Sequence, residues 1–451
     1  MQFGTDANRM AQIPAELCTV VAGQAARQKL SSNQTTNMIR FACRRPDQNR
    51  ASIINDGLGI LGATSPDLHG PVSSSFWHHI SMCSLTDHFP QAQRFAVNID
   101  TQLLRVTGRV LRTPTLQYSS GQHRPQKGTW NLMKSRFFES GTTGGELHLG
   151  LLKLVGNREN NMDREVANFE RCLENALRSS GVNFTRVRWT SQNVPVDTRL
   201  SQDSQSANIR KIGTALNQFK SQNAQLVVVV LPTQDAHVFS RVKHLADVTI
   251  GIHTLCIRQI YNRKERRDYI NTNGTYMANL TLKVNLKLGG INHKLARRSP
   301  DLLMGDTMFI GIDVTHPTGT ENAGGSNRRR SIAAVVANVD ESLGQWPGSI
   351  RTQADRQEMV SDLRDMVRER LEAWKRQDNL PSRVVVYRDG VSESQYQQVL
   401  RDELPQINHA IEMYFNARPG TTVPNVTLLV VGKRHHTRSV VFQYYHFSLP
   451  L

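Results

Sequence analysis

The sequence predicts an α/β protein built from two successive sheet domains. In the first half, apolar runs such as LVVVVLP (226–232) alternate with segments that are apolar at helical spacing. In the second half, four more apolar strands follow residue 300, and a long charged helix lies between the second and the third. Continuous valine runs between helices are typical of parallel strands that are covered on both faces, so we expect a Rossmann-like domain first.

The N-terminal part shows little regular pattern. Residues 37–43 are apolar at helical spacing, and the Arg44-Arg45-Pro46 step ends that helix. Residues 62–93 contain three prolines and a serine run without a sustained period, which predicts a loop. Residues 95–111 alternate between apolar and polar types, as strands do.

From about residue 128 the order becomes strand, helix, strand. Strands are predicted at 145–155, 182–189 and 226–232. A period of 3.6 residues predicts one helix that stops at Gly181 and a second before the third strand. Their apolar faces are Val166, Phe169, Leu173 and Leu177, and then Ile209, Ile212, Leu216 and Phe219.

The second half has its own strands in a different order. They are predicted at 308–314, 331–339, 383–389 and 426–432, with a helix over roughly 352–375. A hairpin followed by helix-linked strands predicts a mixed sheet, as in RNase H-like folds. The predicted fold class is therefore α/β, with a Rossmann-like domain followed by an RNase H-like domain.

The charge balance is strongly basic. Lysine and arginine number 55 against 38 aspartate and glutamate residues, which gives a net charge of +17. Such an excess favours a polyanionic partner, either nucleic acid or an acidic membrane surface. Five widely spaced cysteines argue against a disulfide framework or a zinc ribbon. Because no apolar run reaches membrane-spanning length and no signal segment is present, we expect a cytoplasmic protein, with the nucleus as an alternative.

Acidic residues close two of the apolar strands in the second domain. Asp313 ends MFIGIDV and Asp389 ends RVVVYRD. If these strand ends lie side by side, divalent cations would relieve the repulsion between the carboxylates, and two metals can cleave a phosphodiester. Glu358, on the predicted helix, could complete the set. The alternative is structural, with Asp313 capping a turn, Asp389 starting an Asp-Gly turn and Glu358 solvated.

Three lysines of the first domain could converge. Lys283 and Lys287 are four residues apart on a predicted helix, so both ammonium groups emerge on one face. Lys243, on the preceding helix, could join them and form a site for a terminal phosphate. The alternative is a solvated basic face.

Several long motifs resemble the eukaryotic Argonautes. FIGIDVTHPTG, DRQEMVSDL, VVYRDGVSESQYQQVL and VVGKRHHTR resemble the PIWI domain, in this order and spacing. LVVVVLP and LTLKVNLKLGGIN resemble the MID domain, and the segment from IPAELCTVVAGQ to NMIRFACRRP resembles the end of the PAZ domain and the following linker. The resemblance implies a PAZ tail and the start of the linker at 1–60, the linker with an irregular insertion at 61–127, a MID domain at 128–290 and a partial PIWI domain at 291–451.

The resemblance gives the carboxylates a role. Asp313, Glu358 and Asp389 match three of the four residues of the slicer tetrad, with Glu358 delivered on a movable loop. Asp313 and Asp389 would bind Mg²⁺ or Mn²⁺ if the slicer site is functional. The fourth member lies well beyond KRHHTR in the family, and His446 stands in a segment that does not resemble it, so the site is predicted to be incomplete.

The resemblance also implies a guide pocket. Lys243, Lys283 and Lys287 match the lysines that grip the 5′-phosphate of the guide, and Phe239 stands where the family usually has a tyrosine that stacks on the first base. Thr254 matches a polar pocket residue, whereas Leu255 replaces a glutamine of many relatives. Guide-backbone contacts are expected from Lys433, Arg434 and Arg438.

These matches predict a guide small-RNA-binding protein of RNA silencing that cannot cut as encoded. Its expected partners are the guide, a complementary target RNA and silencing proteins, but no membrane. Two alternatives stay open: an active slicer in which another group replaces the fourth ligand, and a basic remnant that binds RNA unspecifically. Residues 62–93 and 439–451 break the family pattern, and we expect both to be translated intervening sequence or frame error in an incomplete gene product.

Overall fold

The computed structural model describes seventeen stretches of the chain. They are residues 2–3, 11–12, 32–57, 104, 106–108, 111, 113–126, 128–132, 135–156, 162–197, 202–232, 236–262, 267–296, 306–317, 330–340, 342–374 and 380–432. The chain divides into two compact units, residues 1–110 with 436–451 and residues 111–435. The predicted loop at 62–93, most of the predicted strands at 95–111, and Lys433, Arg434, Arg438 and His446 lie outside the described residues.

The first unit contains two short helices among its described residues. Its elements are β1 (Gln2–Phe3), β2 (Ala11–Gln12), α1 (Ser32–Ala42), α2 (Pro46–Ala51) and a π turn over Ser52–Gly57. The helix predicted at 37–43 is the second half of α1. Pro46 is tolerated at the start of α2 because the first helical turn needs no intrahelical N–H donor, so the Arg-Arg-Pro step separates the two helices.

The second unit begins with a short hairpin and a five-stranded sheet. The strands are β3 (Leu116–Tyr118), β4 (Gly121–His123), β5 (Glu146–Val155), β6 (Arg186–Pro195), β7 (Leu226–Leu231), β8 (Thr254–Asn262) and β9 (Arg267–Ile270). The sheet order is β6-β5-β7-β8-β9, and all pairs are parallel except β8 with β9. This confirms the predicted Rossmann-like domain.

Helices cover both faces of this parallel sheet, as predicted. They are α3 (Asp163–Ser179), α4 (Gln202–Ser221), α5 (Ala236–Lys243) and α6 (Gly274–Lys287). The odd-numbered leucines of β5 and the even-numbered residues of β7 pack with α3 and α6, and the alternate residues pack with α4 and α5. Each fully buried aliphatic side chain stabilises the fold by roughly 1.5–3 kcal/mol. Gly150 is required here, since a Cβ would lie 2.7 Å from Cδ1 of Phe219.

One predicted strand has different bounds. The strand predicted at 182–189 begins only at Arg186 and continues to Pro195. Val182 and Phe184 are buried in the core before the strand starts, so their apolar character reflects packing and not the β ladder.

The second large sheet is mixed, as predicted. A short strand, β10 (Lys294–Leu295), first pairs with β3. The sheet strands are β11 (Thr307–Thr315), β12 (Ser331–Ala337), β13 (Gly348–Gln353), β14 (Arg383–Asp389) and β15 (Asn425–Val431). Their order is β13-β12-β11-β14-β15, with the first two pairs antiparallel and the last two parallel. This arrangement is RNase H-like.

Helices cover one face of the mixed sheet. They are α7 (Leu363–Glu372) and α9 (Leu404–Asn416), and a short helix, α8 (Tyr396–Gln398), lies between them in the chain. Met308, Ile310 and Ile312 of β11 form a core with α7 and α9. The opposite face, which we call the open face, carries exposed apolar side chains: Ile332, Val336, Ile350, Tyr387, Leu429 and Val431.

The charged helix predicted at 352–375 is wrong over nearly its first half. Thr352 belongs to β13, and α7 begins only at Leu363, so Glu358 lies on a loop and not on a helix. The side-chain amide of Gln353 donates to the carbonyls of Gln357 and Met359. These hydrogen bonds hold the chain in a non-helical path that buries Met359 and Val360.

Candidate functional site

The mixed sheet brings two of the predicted carboxylates together. β11 and β14 are adjacent and parallel, and Ile312 is paired with Arg388, so Asp313 and Asp389 follow side by side. Strand alternation places both aspartates on the open face. The expectation that two acidic strand ends meet at one edge of the sheet is thus met by the described geometry.

Glu358 reaches the same place from its loop. A Cβ built on Gly390 would lie 3.1 Å from Oε1 of Glu358 and 3.5 Å from Oδ1 of Asp313. Gly390 itself has φ +89, a conformation that favours glycine, and its N–H donates to Oδ1 of Asp389 at 2.9 Å. The Asp-Gly turn and the carboxylate cluster are therefore one feature, because the turn keeps the space between the carboxylates open.

Glu358 is held by two basic side chains. Nε2 of His316 lies 2.8 Å from Oε2 of Glu358, and Nη1 of Arg388 donates to Oε1 at 3.1 Å. The second ring nitrogen of His316, Nδ1, lies 2.9 Å from the hydroxyl of Ser331. The Glu358 side chain is only 13% exposed, so these contacts fix its direction.

Arg388 is buried completely beneath this cluster. It donates from Nε and Nη2 to the two carboxylate oxygens of Glu403 at 2.8 and 3.0 Å, and from Nη2 to the carbonyl of Glu358 at 2.7 Å. Oε1 of Glu403 also accepts from the N–H of Val360 at 2.8 Å. Burial alone would lower the pKa of Arg388, but the hydrogen bonds and charges of Glu403 and Glu358 outweigh it and raise that pKa. The sequence analysis did not single out Arg388 or Glu403, although strand alternation places Arg388 on the same face as Val384 and Val386.

These carboxylates do not by themselves make a metal site in this arrangement. Within the described ranges, no three His, Cys, Asp or Glu side chains are placed to hold a metal ion. Both oxygens of Glu358 pair with protein donors, and Oδ1 of Asp313 accepts from the N–H of Val314 at 2.9 Å. The cluster is thus gathered around Gly390, with both oxygens of Glu358 and one oxygen each of Asp313 and Asp389 in protein hydrogen bonds.

In the first domain, Lys243 and Thr254 meet at the end of α5. The helix ends at Lys243, a π turn follows over His244–Ile250, and β8 starts at Thr254. Nζ of Lys243 lies 2.6 Å from Oδ2 of Asp247 and donates to Oγ1 of Thr254 at 3.1 Å. Thr254 is only 2% exposed, so its hydroxyl is a fixed polar group beside the lysine.

Lys287 belongs to the same electrostatic group. It is half-buried at the end of α6, and burial first, then the charge of Lys243, lowers its pKa. The exposed Lys283 contributes in the same direction, whereas Asp247 opposes it. Burial and the lysine charges likewise lower the pKa of His253. Lys287 is thus partly buried, whereas Lys283 is exposed.

The neighbouring predicted residues differ in position. Phe239 lies one helical turn before Lys243 on α5 and is 44% exposed, so its ring is open to a stacking partner. Leu255 instead packs in the core with α3 and α6, and Cys256 packs on the other face. Burial raises the pKa of the Cys256 thiol to about 11. Leu255 therefore contributes packing, and the polar lining at this position comes from Thr254.

Comparison with known proteins decides the family. Residues 226–448 match the Piwi domain family, and this span contains the lysine group and the carboxylate cluster. The chain belongs to the Argonaute and Piwi family. The described sheets supply its MID domain and its RNase H-like PIWI domain. Members of this family are generally metal-dependent.

Solved Argonaute structures share this fold. The chain is similar to the MID-PIWI domains of the N. crassa QDE-2 Argonaute, with 29% identity, a TM-score of 0.51, and coverage of 65% of this chain and 75% of that one. The C-terminal lobe of a budding yeast Argonaute is 21% identical, with a TM-score of 0.60 and coverage of 73% of this chain and 66% of that one. Kluyveromyces polysporus Argonaute, solved with a guide RNA, is 20% identical, with a TM-score of 0.60 and coverage of 82% of this chain and 43% of that one. The chain thus spans less than half of the K. polysporus protein.

The domain bounds predicted from Argonaute motifs stay predictions, because the compact unit 111–435 contains both the MID and PIWI sheets. The roles of the individual site residues are likewise predictions. No described helix has the length and apolar character needed to span a membrane.

Proposed function

We propose that this chain binds a guide small RNA in RNA silencing and anchors the guide's 5′-phosphate between Lys243, Lys283 and Lys287, in the cytoplasm or the nucleus. One observation carries the proposal: Lys287 is partly buried at the end of α6, within electrostatic reach of Lys243. Like charges at close range destabilise the free protein, and a terminal phosphate with nearly two negative charges relieves that repulsion. A complementary target RNA is the second partner.

The surrounding groups suit a phosphorylated RNA end. Thr254 offers a hydroxyl beside Lys243, and the pairing of Lys243 with Asp247 is exposed enough to exchange for a phosphate. Phe239 offers an exposed ring one turn away, where stacking of a base stabilises single-stranded RNA by roughly 1–3 kcal/mol. Affinity, end recognition and base contact would then come from adjacent side chains.

Binding of one short RNA with and without its 5′-phosphate, at fixed salt, tests the proposal. We expect at least about a tenfold preference for the phosphorylated RNA, since each charge-assisted hydrogen bond contributes about 1.5–3 kcal/mol. The Lys243→Ala/Lys287→Ala variant should lose the preference. Lys211→Ala, which removes an exposed lysine of α4, should keep it. Equal and salt-sensitive binding of both RNAs by the wild type would favour the unspecific basic remnant.

The gathered carboxylates favour a second candidate, an active slicer. Asp313, Glu358 and Asp389 converge around Gly390, and Mg²⁺ or Mn²⁺ would be the cofactor in that case. We propose that the protein does not cut as encoded, because both oxygens of Glu358 are engaged by His316 and Arg388, and one oxygen of Asp313 accepts from a backbone N–H. Incubation of the guide-loaded protein with a matched target and either ion tests this. Cleavage that Asp389→Asn abolishes would establish the slicer instead.

A further inference from the structure

A loop of the PIWI sheet contacts the helix that carries Lys287. The loop joins β12 to β13, and Nε2 of Gln345 donates to the carbonyl of Leu286 at 3.0 Å and to that of Gly290 at 2.8 Å. These two carbonyls flank Lys287 along the chain. The carbonyl of Leu286 also accepts from the N–H of Gly289 at 3.1 Å, so Gln345 is a second donor to this carbonyl. Its amide joins the last helical turn to the carbonyl of Gly290 in the turn that follows.

The MID domain holds the same turn from its other side. Asn285, which is fully buried, accepts from the N–H of Gly141 at 2.8 Å and donates to the carbonyl of Glu139 at 3.0 Å. A Cβ on Gly290 would lie 2.5 Å from the amide nitrogen of Gly141, so this position requires a glycine. The end of α6 is therefore tightly packed against the MID domain, and on the PIWI side it is held by the hydrogen bonds from Gln345.

The loop is shaped to present Gln345. The carboxylate of Asp340 accepts from the N–H groups of Gly344 and Gln345 at 3.2 and 2.8 Å. Leu343 adopts φ 58, a left-handed conformation that is costly for a residue with a side chain. A Cβ on Gly344 would lie 2.9 Å from Cγ1 of Ile291, so only glycine lets the loop approach this closely.

We propose that Gln345 is a positioning residue for the guide 5′-phosphate: its amide clamps the last turn of α6 and so sets the distance between the ammonium groups of Lys287 and Lys243. The inference rests on the proposed guide pocket. It makes the PIWI sheet a structural part of a MID-domain site. Without the clamp the turn keeps its MID-side contacts, but Lys287 is no longer fixed at the helix end, where helices fray most readily.

The test compares the preference for 5′-phosphorylated over 5′-hydroxyl RNA among variants of the full chain. Gln345→Met keeps the side-chain length and removes the donor. We expect the preference to fall by about fivefold, the equivalent of one hydrogen bond of about 1 kcal/mol, while binding of the 5′-hydroxyl RNA is unchanged. Gln397→Met, the same substitution at an exposed position of the PIWI domain, should keep the wild-type preference.

A second variant acts on the backbone. Gly344→Ala leaves Gln345 intact but pushes the loop away from Ile291, so we expect the same selective loss. Hydrogen exchange of the amides of Leu288, Gly289 and Gly290, which close the turn, should be faster in both variants than in the control. Gly344→Ala also keeps the test decisive if Gln345→Met does not fold.

The outcomes separate the inference from the function on which it rests. A wild-type preference that both variants retain would overturn the role of Gln345 and leave the guide pocket standing. An equal loss of affinity for the 5′-phosphorylated and the 5′-hydroxyl RNA would also overturn it, because a residue with only a structural role would weaken the binding of both. A wild type without any preference would remove the pocket and the inference together.

Discussion

Arg388 and Asp389 are neighbours in sequence and opposites in environment. Arg388 is fully buried against Glu403, whereas Asp389 begins the turn at Gly390 on the open face. A buried ion pair adds little net stability over an apolar pair of similar shape, but removal of one partner leaves an uncompensated charge. The pair also reaches the backbone of Glu358 and Val360, so it determines where the glutamate stands.

We predict that Arg388→Met destabilises the protein by about 3–5 kcal/mol, because it leaves Glu403 buried without a cation. The free energy of unfolding in urea measures this, with the PIWI domain followed separately from the MID domain if two transitions occur. Arg388→Met/Glu403→Met should recover most of the loss. Arg401→Met, which removes the exposed partner of Asp402, is the control, and a midpoint for Arg388→Met equal to that control would contradict the prediction.

Lys287 gives a prediction on pH. Its lowered pKa means that the ammonium loses its proton at a lower pH than an exposed lysine, whose pKa is about 10.4. The preference for a 5′-phosphate should therefore start to decline below that value as pH rises. Over the same window the free protein becomes more stable, since the unfolded chain binds that proton more tightly than the folded one.

Titration of binding with 2′-O-methyl RNA, which resists alkaline hydrolysis, measures the decline. Lys287→Arg keeps its charge throughout this range and should show a flat preference up to about pH 10. A wild-type curve that coincides with the Lys287→Arg curve would exclude Lys287 as the titrating group.

At the scale of elements, the sequence predicts what depends on local period. The helices at α3 and α4 follow from apolar residues on one face, and the valine run of β7 follows from burial on both faces. The aspartates could be placed because strand ends are visible in sequence. Lys283 and Lys287 could be paired because their spacing is one helical turn.

Other features depend on partners that are distant in sequence and were therefore not predictable. Glu403 meets Arg388 across fifteen residues, and Gln345 meets Leu286 across fifty-nine. The residue pattern predicts a helix around Glu358 because Arg, Gln, Glu and Met all favour helices, whereas the Argonaute resemblance implies a loop. Its real path is fixed by the side chain of Gln353 and by burial of Met359 and Val360 in the tertiary structure.

At the scale of the molecule, the two faces of the mixed sheet differ. One is packed under α7 and α9, and the open face exposes Ile350 at 66% and Leu429 at 42%. β15, at the end of the sheet order, presents Leu429 and Val431 on that face. Exposed apolar side chains on the face and edge strand of a sheet promote association.

We predict that Leu429→Thr/Val431→Thr lowers self-association while the melting temperature changes little, because both side chains are already in contact with water. Light scattering over a concentration series measures the first effect. Val386→Thr, on the covered face of the adjacent strand, is the matched control and should lower the melting temperature without improving solubility. Unchanged association in the double variant would show that the open face is not the adhesive surface.

The buried arginine has a consequence for how the sheet assembles. A shift of β14 by one residue against β11 would turn Asp389 into the core and Arg388 toward water. Glu403 would then face a second buried carboxylate, that of Asp389, in place of the guanidinium of Arg388. The shifted alignment therefore loses the ion pair and also places two negative charges together. The pair thus selects a single alignment of β14 against β11 while the chain folds, and a side chain that never meets solvent determines the position of the surface aspartates.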